Sequence, residues 1–200
     1  MKIFILRHED RPCDCTFFSP LTENGLNNSI KLSKVLQNNN INKIFSSPFI
    51  RTLQTVDPFT KDTKQSINLE YGLCEIHHQT IIPVKSVGLS LPEYLAKKYN
   101  YNPNYTSFIK PTGIKYPENA TDCENRMKRV LKNIIETYYK TDDNILIVTH
   151  QSLCNTALKI INKYSVQYKH TLDDEIAKGY QKGKVSLIFS TDQWVYTKLN

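Results

Sequence analysis

The stretch KIFILRHEDR, Lys2 to Arg11, decides the fold. Its apolar run from Ile3 to Leu6 is too short for a helix and suits a strand buried on both faces. Arg7, His8, Glu9, Asp10 and Arg11 follow at once. A buried strand that ends in clustered charge carries that charge to the rim of a sheet. In an open α/β sheet the crevice beyond the carboxyl ends of the strands is where ligands bind.

The same arrangement recurs downstream. INKIFSSP, 41–48, is a second strand, with a helix starting near Phe49 and Arg51 just inside it. QSINLEYGL, 65–73, is a third strand ending close to Glu75, and NILIVTH, 144–150, is the strongest strand and ends on His150. Between them lie helical patterns. Thr22 is placed to cap a helix with Leu26, Ile30, Leu32, Val35 and Leu36 as its apolar face and the run Asn38 to Asn40 as its stop. Met127, Val130, Leu131, Ile134, Ile135 and Tyr138 mark a second amphipathic helix. KVSLIF and QWVYTKL fit edge strands or a hairpin around Ser190 to Asp192. This alternation predicts an α/β three-layer sandwich, a mostly parallel central sheet flanked by helices.

A chain of 200 residues, 40% hydrophobic and 22% charged, suits one domain spanning 1–200. No signal-peptide core follows Met1 and no run reaches membrane length, so a soluble, cytoplasmic chain with no membrane contact is expected. Five cysteines at irregular spacings fit reduced thiols. Cys13 and Cys15 could join His77 and His78 in a zinc site on paper, but buried or incidental thiols are the default and no metal is expected. A formal charge of +7 favours anionic partners of any kind. The basic residues are spread along the chain, and the aromatic stretch YNYNPNYTSF, 99–108, has no Lys or Arg for phosphates. That stretch is read as a loop, and nucleic acid is not an expected partner.

Two arginines, two histidines and a glutamate at the ends of four distant segments suit phosphoryl transfer. Guanidinium groups grip phosphate oxygens with paired, charge-assisted hydrogen bonds. A neutral imidazole is a nucleophile able to hold a phosphoryl group, and a second imidazole can donate to its oxygens. Glutamate can protonate the departing oxygen and then take a proton from the attacking water. No metal or other cofactor is required.

These segments resemble motifs of the histidine phosphatase superfamily, the phosphoglycerate mutase-like fold. LRHED is similar to its L-R-H-G, PLTENGLNNS to P-L-T-x-x-G-x-x-Q-A, SSPFIRTLQT to S-S-P-x-x-R-x-x-Q-T, LCEI to L-x-E-x and ILIVTHQ to V-x-H-G. The resemblance implies that His8 is the phosphorylated nucleophile, that Arg7, Arg51 and His150 form the phosphate pocket, and that Glu75 is the proton donor. It places Arg11 as a further pocket arginine. Within the superfamily, INLEYGLCEI, LPEYLAKKYNYNPNY and DNILIVTHQSLCNTAL look similar to the suppressor of T-cell receptor signalling and ecdysteroid-phosphate phosphatase branch. That branch implies a free-standing catalytic domain acting on phosphotyrosine or another bulky phosphate ester, carried by a small molecule or a phosphoprotein. A homodimer is an expectation from the resemblance alone.

Two residues depart from the pattern. Glu9 stands where the family has glycine, and a carboxylate turned into the pocket would repel a phosphate dianion; turned outward it would be harmless. Gln151 replaces a small residue and either narrows the pocket or donates a hydrogen bond to the substrate. Asp10 is a loop residue or an auxiliary acid. The segment from Ile76 to Thr121 is read as a cap over the site, with its tyrosines divided evenly between stacking on a leaving group and packing on the sheet. The alternatives are a catalytically weak relative that binds phosphorylated ligands, a phosphoglycerate mutase, and a basic nucleic-acid-binding domain.

Overall fold

The computed structural model describes residues 1–14, 16–80 and 90–200. Six strands form one sheet: β1 (Lys2–Arg7), β2 (Lys43–Ser46), β3 (Ile67–Leu69), β4 (Asn144–Thr149), β5 (Val185–Ser190) and β6 (Gln193–Lys198), in the order β3-β2-β4-β1-β5-β6. The four strands from β3 to β1 are parallel, β5 runs antiparallel to β1, and β6 antiparallel to β5. Ile3, Ile5 and Leu6 of β1 and Ile145 to Val148 of β4 are fully buried, as their unbroken apolar runs predict. The two residues between β5 and β6, Thr191 and Asp192, both have positive φ, 51° and 63°. That turn matches the twist of a tight hairpin.

Six α-helices among the described residues accompany the sheet: α1 (Glu23–Asn38), α2 (Ile50–Thr63), α3 (Glu93–Ala96), α4 (Ala120–Tyr138), α5 (Gln151–Tyr164) and α6 (Lys169–Lys178). Helix α1 packs on α2, while α5 packs on both α4 and α6. The path from β1 through β2 to β3 steps one way along the sheet, and the return through β4 to β5 steps the other. With right-handed crossovers, α1 and α2 cover one face and α4 to α6 the other. The reversal seats β4 between β1 and β2, so that Arg7 pairs with Thr149 and Ser46 with Val148. The carboxyl ends of three strands from distant parts of the sequence thus lie side by side.

Thr22 caps α1 as expected, its hydroxyl accepting from the Gly25 amide at 3.0 Å and donating to Asp10 Oδ2 at 2.9 Å. The expected apolar face of α1 is rotated, however. Leu26 and Ile30 are 42% and 60% exposed, and the buried face is Gly25, Ser29, Leu32, Ser33 and Leu36. The buried serines are satisfied locally: Ser29 Oγ donates to the Gly25 carbonyl and Ser33 Oγ to Asp62 on α2. Small, hydrogen-bonded side chains line this interface where apolar periodicity predicted large ones.

In the 76–121 segment, expected as a cap over the site, the inner stretch 81–89 lies outside the described residues. Residues 100–109 cover the edge of β3. Tyr101 bridges to Ile67, whose amide donates to the Asn100 carbonyl at 2.7 Å. The buried carboxylate of Glu70 fastens this segment, accepting from Gly72 N, Ser107 Oγ and Ile109 N on one oxygen and from Tyr105 OH and Phe108 N on the other. Tyr105 and Phe108 pack on Phe45 with ring centroids 5.5 and 6.2 Å away, so these aromatics belong to the core. No helix among the described residues is long and apolar enough to cross a membrane.

Candidate active site

The strand ends bring Arg7, His8, Arg51, Glu75 and His150 together. His8 follows β1 and is buried; its Nδ1 lies 2.7 Å from the Glu9 carbonyl. A carbonyl oxygen only accepts, so Nδ1 carries the proton and Nε2 presents its lone pair. Arg51 approaches that lone pair, Nε to Nε2, at 3.3 Å. Burial first, and then the charge of Arg51, depress the His8 imidazolium to about 3. His8 is therefore neutral across the physiological range.

Arg51, fully buried in the first turn of α2, spans the site. Its other guanidinium nitrogens donate to the Thr16 carbonyl at 2.8 Å and to His150 Nδ1 at 3.2 Å, and its Cζ lies 4.5 Å from the Phe49 ring centroid. A donor on His150 Nδ1 fixes the opposite tautomer there: Nε2–H donates to Ser47 Oγ at 2.9 Å. The two imidazole rings meet edge to face with centroids 5.3 Å apart. Burial and Arg51 hold His150 well below the ordinary histidine value as well.

Glu75 sits in the stretch leaving β3, its Oε2 3.8 Å from His150 Nδ1. Its Oε1 accepts from the Ile76 amide at 3.0 Å and from the Ser152 hydroxyl. Burial raises its carboxyl above the usual range, favouring the protonated form that a general acid requires. The backbone before Glu75 is fastened from α4: Arg126 NH1 donates to the Gly72 and Cys74 carbonyls at 2.7 and 2.9 Å. Arg126 in turn forms a bidentate pair with Glu118, both contacts 2.7 Å, with side chains 4% and 1% exposed.

Arg7 NH1 donates to the Tyr180 carbonyl at 2.6 Å, while its Nε is buried without a hydrogen-bond partner. An unpaired, buried guanidinium N–H is a donor in want of an acceptor. Arg11 is half-buried at the rim, with NH1 donating to the Pro12 carbonyl at 2.6 Å, and its charge reaches His8, Glu75 and His150. Gln151 begins α5, and its amide lies against the backbone of Gly179.

The Glu9 carboxylate is buried against Gly183, held by the Asp10 amide and the Asn28 side chain. Asp10 accepts from Thr22 and pairs with Lys182, which makes it a tether between loops. Of the residues once considered for zinc, Cys15 lies outside the described residues, and the His77 amide donates to Glu118 at 2.8 Å. Among the described residues no three His, Cys, Asp or Glu side chains converge as a metal site. Sequence reasoning passed over Thr16, Ser47, Ser152 and Tyr180, which orient the charged groups. Ser47 and Ser152 each sit within a few residues of a site residue, which is the signal that could have found them.

The sequence profile described as Histidine phosphatase superfamily (branch 1) matches residues 16–178, a span that begins after His8. No curated protein matches the chain in sequence. Solved structures do match it in shape. The ecdysone phosphate phosphatase from Bombix mori, in complex with tungstate, superposes with a TM-score of 0.69 at 13% identity, covering 98% of this chain and 91% of that one. Phosphoglycerate mutase from Bacillus anthracis str. Sterne gives 0.68 at 20% identity, covering 99% and 91%. The alpha-ribazole phosphatase from Shigella flexneri gives 0.65 at 16%, covering 100% and 96%.

Proposed function

The chain belongs to the histidine phosphatase superfamily, and from that premise we propose that it hydrolyses phosphomonoesters through a phosphohistidine on His8. The observation that carries this reading is the His8 tautomer, with Nδ1 tied to the Glu9 carbonyl and a neutral Nε2 beside Arg51. The phosphatases among the structural neighbours agree with it.

In this mechanism Arg7 Nε and Arg51 bind the phosphate oxygens, Arg51 giving up its contacts to His8 and to His150 Nδ1 in doing so, and His150 joins them in its other tautomer, with Nδ1–H to the phosphate and Nε2 accepting from the Ser47 hydroxyl. His8 Nε2 donates its lone pair to phosphorus as the ester P–O bond breaks, and the Glu75 carboxyl gives its proton to the departing oxygen. The resulting Glu75 carboxylate then takes a proton from water as that water attacks phosphorus and the His8 Nε2–P bond breaks. Inorganic phosphate leaves, and His8 and Glu75 return to their starting forms. The guanidinium groups supply the charge that stabilises the equatorial oxygens, so no step calls for a metal. A bulky phosphate ester, on a small molecule or a phosphoprotein, is the substrate class. A pocket spoiled by Glu9 is disfavoured because that carboxylate is taken up by Gly183, Asp10 and Asn28.

The test is turnover of p-nitrophenyl phosphate by the full chain and by His8→Ala, with the phosphoenzyme trapped by acid-free quench and read by 31P NMR. Turnover and a phosphoramidate signal are expected only with His8 present. Undiminished turnover by His8→Ala would overturn the reading.

A further inference from the structure

Glu9 and Gln151 each follow one of the two site histidines, and each stands where the resembled motifs carry a glycine or small residue. Both side chains reach the same short loop, Gly179 to Gly183. A Cβ on Gly183 would lie 1.9 Å from Glu9 Oε1, and a Cβ on Gly179 would lie 2.2 Å from Gln151 Nε2. Both glycines have positive φ, 64° and 72°, so the loop needs glycine there for its backbone as well as for space. The bulk that the motif positions gained is matched by bulk that this loop lacks.

The loop grips the phosphate clamp. Its Tyr180 carbonyl accepts from Arg7 NH1, and its Gly183 amide donates to the Arg7 carbonyl at 3.1 Å. Tyr180 is itself pinned, its amide to Asn155 Oδ1 at 2.9 Å and its hydroxyl to the Ile5 carbonyl at 3.1 Å. Arg7 Nε is left over, buried and without a partner.

We infer that Glu9 and Gln151 are positioning residues: they wedge the two ends of the 179–183 loop so that the Tyr180 carbonyl holds the Arg7 guanidinium with Nε–H directed at the phosphate. The inference rests on the proposed phosphate site. It makes a prediction of unusual sign. Removing a carboxylate near an anion site should tighten anion binding by Coulomb attraction alone. Loss of the wedge should weaken it.

The experiment is calorimetric titration of the full chain with inorganic phosphate, alongside melting curves. Glu9→Gly is expected to weaken phosphate roughly tenfold, the scale of one misplaced charge-assisted hydrogen bond. Glu9→Gln, which refills the space, should restore most of that affinity. Gln151→Ala should weaken phosphate in the same direction without altering the residues after β1, and it serves if Glu9→Gly does not fold. In an Arg7→Ala background, Glu9→Gly should have no further effect. Phosphate bound more tightly by both Glu9 variants, or an equal loss with and without Arg7, overturns the inference and leaves the phosphatase reading standing. A wild-type chain that neither binds phosphate nor turns over an aryl phosphate overturns both.

Discussion

Replacing Glu118 with alanine tests how Glu75, the proposed general acid, is held. In the native chain both Glu118 oxygens accept from Arg126, and one also accepts from the His77 amide at 2.8 Å. Burial pushes this carboxyl up, but the bonds from His77 and Arg126 overcome it and hold Glu118 at about 2. The pair is thus intact above the unfolded carboxylate value and is lost only as pH falls through about 2. Alanine leaves the Arg126 cation buried with only the Gly72 and Cys74 carbonyls, and it orphans the His77 N–H. Breaking such a pair from one side costs about 3–5 kcal/mol. For a chain of this size each kcal/mol moves the melting temperature by about 2–4 °C, giving a drop of about 6–20 °C. The assay is thermal unfolding at neutral pH, with turnover of an alkyl phosphate measured well below the new transition. Turnover should fall as well, because Arg126 fixes the carbonyls just ahead of Glu75. A melting temperature within about 2 °C of wild type would mean the pair behaves like an exposed one, and the reasoning fails.

Glu75→Gln cannot donate a proton, so its effect should depend on the leaving group. A loss of about a hundredfold or more is expected with an alkyl phosphate, and much less with p-nitrophenyl phosphate, whose phenolate departs unaided; equal losses on both would deny Glu75 the acid role. Stability should also fall in mild acid. His8, held at about 3, and His150, held well below its ordinary value, stay neutral in the fold while the unfolded chain takes up protons below about pH 6.5. Their contribution is complete above that pH and is lost as pH falls below it, by up to about 1.4 kcal/mol per pH unit for each ring. Glu75, raised by burial, acts in the opposite sense: its contribution is complete below the unfolded carboxylate value and is lost as pH rises through its folded value. Melting curves between pH 7 and 5 should therefore slope less for His8→Asn than for wild type; parallel curves would contradict the buried, neutral imidazole.

The site was legible where chemistry and strand ends coincide. Arg7 and His150 each end or follow an unbroken apolar run, so the sheet that buries the run also sets the direction of the charge. The orientation of Glu9 was not legible, because its environment comes from Gly183 and Asn28, remote in sequence and unmarked by any periodicity. The face of α1 was misjudged for a related reason. Apolar spacing counts Leu26 and Ile30, but the buried positions include Ser29, whose hydroxyl donates to the Gly25 carbonyl within α1, and Ser33, whose hydroxyl finds Asp62 only once α1 and α2 meet. The fastening of Glu75 by Arg126 joins residues in different elements, which no local pattern announces.

The placement of β1 has a bearing on biosynthesis. Both of its sheet neighbours, β4 and β5, lie beyond residue 143. At ribosomal rates of about 5–20 residues per second, the segment bearing Arg7 and His8 waits about 7–28 seconds before either hydrogen-bonding partner is synthesised. β2 and β3 can pair with each other well before that. His8 is thus made long before β4 and β5 and is held by the sheet only after them, so a nascent chain arrested before β4 carries the whole RHEDR stretch with neither neighbouring strand to hold it.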